Sequence, residues 1–181
     1  MTIVVVPLID GFEEIEAVTI VDVLRRAEIT VMTAGVTGRA VTGSHGIKIE
    51  TDTLLTEVNL GAITAIVLPG GPGVKQLKDH EPLLQMVQTH YRSGKLTAAI
   101  CAAPLVLEAA GLLTDKRVTS YPSVKDQLNC QEYLTDAVVI DGHLITSRAP
   151  ATAMAFSLAL VEVLQGKDKA RSVAEAMLWS V

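Results

Sequence analysis

A thiol at Cys101, an acidic cluster at Asp10, Glu13, Glu14 and Glu16, a glycine loop at Gly70-Gly71-Pro72-Gly73 and a guanidinium at Arg148 are the groups of this chain able to do chemistry together. The thiol sits in Ala99-Ile100-Cys101-Ala102-Ala103-Pro104. A nucleophile on a sharp strand-to-helix turn needs small residues two places before and after it, and Ala99 and Ala103 supply them. Pro104 suits a first helical turn, where its missing N–H costs nothing. Such a turn puts Cys101 at the positive end of a helix dipole, which favours a thiolate. The N–H of Ala102 is then free to receive an oxyanion. The competing reading is a small buried hydrophobe ending a central strand; the turn residues favour the nucleophile.

Pro69-Gly70-Gly71 lacks the Lys-Ser/Thr of a phosphate-binding P-loop. It reads either as a tight turn needing positive φ or as a row of N–H groups facing Cys101, an oxyanion hole. Glu13 and Glu14 need no more than a dipole-complementing role in a first helical turn. Glu16, between apolar Ile15 and Ala17, is the carboxyl to aim at Cys101. Pressed against a thiolate it would hold its proton and donate to sulfur. A nucleophilic cysteine usually takes a histidine base, but no histidine is well placed. His143 begins a strand at the wrong end of the sheet, and His80 and His90 belong to a solvated surface helix. His45 projects on a hairpin and reaches a site only across a subunit interface. This argues against a protease or amidotransferase triad.

These groups need a scaffold that gathers strand ends. Short β-branched runs at Ile3–Val6, Thr30–Ala34, Ala65–Leu68, Thr97–Ile100, Val138–Ile140 and Leu144–Ser147 read as strands. They alternate with helical stretches at Glu13–Ala27, Pro82–Arg92, Ala102–Ala110 and Ala151–Leu164, with a last helix near Ala170–Trp179. The alternation predicts an α/β protein with a mostly parallel sheet covered on both sides. In such sheets sites form at the carboxyl ends of strands, where all four groups fall. Ala40–Thr42 and Ile47–Thr51, around Gly43-Ser44-His45-Gly46, predict an inserted β-hairpin; Asp141-Gly142 predicts a second.

Composition sets the outer limits. The 181 residues are 49% hydrophobic and 19% charged, which suits one domain over 1–181 with a sizeable core. The net charge of −5 and the absence of a basic run argue against a nucleic-acid binder. No run reaches the ~20 apolar residues of a membrane span. The opening Met-Thr-Ile-Val-Val-Val-Pro lacks the cationic region of a signal peptide, so a cytoplasmic protein is expected. In that reducing setting the two cysteines, Cys101 and Cys130, are expected to be free.

Five segments together resemble the ThiJ/PfpI superfamily, in the branch of the Parkinsonism-associated deglycase. They are Asp10–Glu16, Val21–Ala27, Leu68–Gly71, Ala98–Pro104 and Asp141–Pro150. The resemblance runs almost end to end. It implies a flavodoxin-like three-layer sandwich and a homodimer. It makes Cys101 the reactive cysteine and Glu16 the protonated glutamate that hydrogen-bonds it. Gly70, Gly71 and Ala102 match the oxyanion-hole backbone, and Arg25 and Arg148 match arginines near the site or the interface. His45 stands where relatives often carry an arginine from the partner subunit. Relatives often have a histidine after the segment matching Lys125–Leu128; Asn129–Tyr133 here has none, which leaves Glu16 as the acid/base. The implied activity is a cofactor- and metal-independent glyoxalase or deglycase acting on methylglyoxal, glyoxal adducts or glycated substrates. The alternative is a redox-sensing chaperone for misfolded proteins, whose cysteine is oxidised to sulfinate.

Overall fold

Val4, Val5 and Val6 offer no polar face, so they form a strand only where both sides are covered. The computed structural model of the chain, which describes residues 2–179, places them in β1 (Ile3–Leu8), inside a seven-stranded sheet. The other members are β2 (Thr30–Gly35), β5 (Thr53–Leu54), β6 (Ala65–Leu68), β7 (Leu96–Ile100), β10 (Val138–Asp141) and β11 (Leu144–Ser147). Their order is β10-β11-β7-β6-β1-β2-β5, parallel throughout except for β10 against β11. From β1 the chain steps one way to β2, then crosses back to build β6, β7 and β11 on the other side. This is a flavodoxin-like doubly wound sheet, and its order reverses between β1 and β6.

Successive side chains point to opposite faces of a strand, and both faces are buried here. Val4, Val6 and Leu8 pack with Val67, Ala98 and Ile100 under α1 (Glu14–Arg26), α5 (Ala153–Gln165) and α6 (Lys167–Ala176). Val5, Ile66, Leu68 and Ala99 pack under α2 (Val74–Leu77), α3 (Glu81–Arg92) and α4 (Pro104–Ala109). Helix α1 presents Ala17, Ile20, Val23 and Leu24 inward, while Ile15 and Val18 stay 58% and 50% exposed.

The predicted hairpin is present as β3 (Ala40–Thr42) against β4 (Lys48–Glu50), a separate antiparallel ribbon. Asp141-Gly142 does turn β10 into β11, with Gly142 at φ +62°. Two expectations shift, and four short elements are new. The last helix starts earlier, at Lys167, because Gly166 at φ +94° ends α5 and lets Ala170 and Val173 dock. The helix after Cys101 starts only at Pro104, so Cys101 lies in a turn ahead of it. The two-residue strands β5, β8 (Arg117–Val118) and β9 (Glu132–Tyr133), and the one-turn α2, had no readable periodicity.

Candidate active site

The Cys101 turn is strained where the sequence placed it. Cys101 sits at φ +64°, in the left-handed region that side chains with a Cβ avoid. Its backbone is pinned on both sides: its N–H donates to the Ser147 carbonyl at 3.0 Å, and its carbonyl accepts the Tyr121 N–H at 2.8 Å. Ala99 and Ala103 are fully buried against neighbouring elements. The turn thus holds the thiol at the carboxyl end of β7, beside the loop that follows β6.

Glu16, fully buried on the first turn of α1, meets it there. Its Oε2 accepts the Gly70 N–H at 2.7 Å, while the Gly70 carbonyl accepts the Glu13 N–H at 2.9 Å. The start of α1 and the glycine loop are therefore clamped reciprocally. A Cβ on Gly70 would stand 2.7 Å from the Cys101 Cβ and 2.9 Å from Glu16 Oε2. The absence of that atom is what lets thiol and carboxyl approach. Gly71 is at φ +103°, where a Cβ would overlap the Gly11 carbonyl oxygen.

The oxyanion-hole expectation needs one correction. The Gly70 N–H is spent on Glu16 and cannot serve a substrate oxygen. The N–H groups that face the sulfur are those of Ala102 and Gly71.

Burial lifts the Glu16 carboxyl to about 7, helped by the charge of Glu13 and opposed by the Gly70 N–H and Cys101. This is the direction expected of an acid that keeps its proton. The thiol departs from expectation. Burial, and then the negative charge of Glu16, push Cys101 up to about 12 against the pull of the Ala102 and Gly71 N–H groups. The turn alone therefore does not ionise this sulfur at neutral pH. Two groups this close titrate as a pair. Both shifts come from the same burial and the same contact, so neither group's titration is independent of the other. Oε1 of Glu16 is buried without a hydrogen-bond partner, and a buried, unpartnered carboxylate oxygen favours the protonated acid.

Cys101 opens onto a cleft of about 780 Å³, lined by Lys75, Lys78, Leu105, Tyr121, Val124 and Pro150 among others. Sequence reasoning missed all of these except Pro150, because they come from α2 and the residue after it, from α4 and from the loop after β8. None of the four histidines lines the cleft. His90 is not solvated as expected: it is 1% exposed, with Nε2 on the Leu96 carbonyl at 3.1 Å. The apolar side of α3 carries it inward against β7. His80 caps α3, accepting the Leu83 N–H, and His143 stacks on Tyr91 with ring centroids 4.2 Å apart.

The remaining expected residues lie outside the cleft. Arg25 reaches the Val31 carbonyl and Asp52, both at 3.1 Å, on the outer side of α1. Within its own chain Arg25 is thus engaged away from the Cys101 cleft. Arg148 donates to the Thr135 carbonyl at 2.9 Å. His45 ties the hairpin to α1: its N–H and Nδ1 meet the Glu14 carboxylate at 2.7 and 3.1 Å, and Ser44 adds a third contact. Glu14 therefore does more than complement a dipole. Burial alone would raise its carboxyl, but these hydrogen bonds hold it at about 2. Glu13, Glu14 and His45 hold their ligand atoms within 4.8 Å of one another. Because the Glu14 oxygens are already satisfied by hairpin donors, the trio reads as a latch rather than a metal centre.

A strained cysteine turn, a buried acid and a glycine loop at the switch edge of a flavodoxin-like sheet define a thiol-centred α/β protein. The chain belongs to the DJ-1/PfpI family, whose model matches residues 2–163. It is 42% identical to DJ-1 homolog A of Arabidopsis thaliana over 97% of its length, yet spans only 45% of that longer protein. The glutathione-independent glyoxalase DJR-1.2 of Caenorhabditis elegans is 39% identical, over 89% of this chain and 87% of its own. A deglycase of Pyrococcus abyssi is 33% identical, over 86% and 95%. Among solved structures, Drosophila melanogaster DJ-1beta superposes with a TM-score of 0.95 at 42% identity, covering 99% of both chains. An oxidized DJ-1 of Toxoplasma gondii gives 0.96 at 36%, covering all of both. Among the described residues no helix is long and apolar enough to cross a membrane.

Proposed function

We propose that the chain is a cysteine-dependent glyoxalase or deglycase that needs no cofactor. The observation that carries this reading is the pairing of thiol and acid: Cys101 on its strained turn, Glu16 fully buried beside it, and the Gly71 and Ala102 N–H groups facing the sulfur. In the reactive tautomer the proton is on Glu16 and the charge on sulfur. Sulfur attacks the aldehyde carbon of methylglyoxal, and the carbonyl oxygen takes the charge toward those N–H groups. The oxygen is then protonated, giving a hemithioacetal. Glu16, now a carboxylate, removes the proton from C1 and returns it at C2. The resulting thioester is hydrolysed by water to lactate and free thiol. Methylglyoxal plus water gives lactate, so no oxidant or reductant is consumed. Relatives that bear the names glyoxalase and deglycase support this assignment. Cys101→Ser is expected to abolish lactate formation from methylglyoxal; turnover within twofold of wild type would end this reading.

A second reading is favoured by the missing histidine base and by the oxidized relative. Two equivalents of peroxide convert the thiol to sulfinate with loss of two waters, and the oxidised protein serves as a sensor or holdase. Mass spectrometry after mild peroxide is then expected to find two added oxygens on Cys101 before any on Cys130. Both readings include a cytoplasmic homodimer that buries the exposed Ile15 and Val18 of α1 and Ile47 of the hairpin.

A further inference from the structure

We propose that the cleft beside Cys101 takes a substrate with an anionic tail, a carboxylate in the first instance, held by Lys75 and Lys78. The inference deepens the thiol reading above and rests on it for the reacting carbonyl. The cleft, at about 780 Å³, is of the size that encloses a drug-sized molecule. A three-carbon dicarbonyl at the sulfur leaves most of it empty. The space is walled on one side by α2, where Val74 and Leu77 are buried and anchor the turn. Lys75 and Lys78, three residues apart, therefore share the face turned to the cleft.

Neither ammonium is neutralised within the described residues. The ion pairs of the chain engage Lys116 and Lys169 among the lysines, and Lys95 is spent on carbonyls of the loop before β6. Two acids also line the cleft. Glu13 is occupied by the Ser44 hydroxyl at 3.3 Å and faces His45 at 3.8 Å. Asp79 is exposed, pairs with neither lysine, and offsets part of their charge. In a chain with a formal charge of −5, two free cations on the wall of a reactive cleft favour an anion there. Lysine is a point charge without the planar fork of arginine, so the site reads charge rather than one anion geometry. Tyr121, Ser123 and Gln127 on the opposite wall offer the tail an aromatic face and neutral polar groups.

The test uses alkylation of Cys101, which needs no turnover. Sulfur displaces bromide from 4-(bromomethyl)benzoate or from the uncharged 4-(bromomethyl)benzamide; an S–C bond forms, the C–Br bond breaks, and the thiol proton passes to solvent. Mass spectrometry of the Cys101 peptide gives the rate ratio of the two reagents. Wild type is expected to prefer the carboxylate, less so as salt rises. The ratio should fall about tenfold in Lys75→Gln/Lys78→Gln, within the range for two exposed ion pairs, and invert in Lys75→Glu/Lys78→Glu. A ratio that stays within twofold across wild type and both variants overturns the proposal. Turnover of phenylglyoxal to mandelate is scored separately. Its absence with the expected ratios intact would remove the glyoxalase reading and leave the anion site standing.

Discussion

Replacing Glu16 by glutamine should make the protein more stable while disabling its site, and the gain should depend on pH. Burial raises the carboxyl from its ordinary 4.5 to about 7. At about 1.4 kcal/mol per pH unit, ionising it in the folded protein costs about 3 kcal/mol. Below pH 4.5 the group is protonated in both folded and unfolded chains, and the cost is absent. As pH rises from 4.5 to about 7 the unfolded chain ionises first, so folded stability falls; above that window the loss is complete. Glu16→Gln removes the cost and keeps an oxygen for the Gly70 N–H. For a chain of this length about 3 kcal/mol corresponds to roughly 6–12 °C in Tm. Thermal or urea unfolding of both proteins at pH 5 and pH 8 measures it. The variant should gain most of that at pH 8 and little at pH 5, while losing lactate formation. Equal gains at both pH values, or a loss at pH 8, would refute the buried-acid argument.

Other outcomes follow from the same geometry. Gly70→Ala inserts a Cβ between Cys101 and Glu16; overpacking of about 1–3 kcal/mol should lower Tm, and the rate of Cys101 alkylation should change with it. Burial lowers the affinity of His90 for a proton, so below its ordinary 6.5 the unfolded chain protonates first and stability falls as pH drops. His90→Gln, followed by unfolding between pH 7 and 5, should flatten that fall, a sign opposite to that of Glu16. Ile15→Glu/Val18→Glu should yield a monomer by analytical ultracentrifugation where wild type sediments as a dimer; a monomeric wild type would remove the dimer proposal.

Much of this molecule was legible before folding was considered. A strand buried on both faces favours apolar residues at both parities, so Val4–Val6 and Ala65–Leu68 announce themselves. The small residues around Cys101 mark its turn for the same kind of reason: steric demand there is local, set within two residues of the nucleophile. Glu16 was singled out because a carboxylate between apolar neighbours must be accounted for by something outside its own helix.

Other features depend on atoms distant in sequence. Whether the Gly70 N–H faces a substrate or the Glu16 carboxylate, 54 positions away along the chain, is decided by how β1 and β6 sit side by side. His90 looks like any surface-helix histidine until α3 is laid on β7. Lys75 and Lys78 gain significance only because α2 and the loop after β8 wall the same cleft. The sequence by itself determined which groups were chemically capable and which strand ends would carry them. The tertiary structure decided which hydrogen-bond donors were already spent, and that the thiol and its acid lie close enough to shift one another's titration, because burial, charge separation and hydrogen-bond satisfaction are properties of neighbours in space.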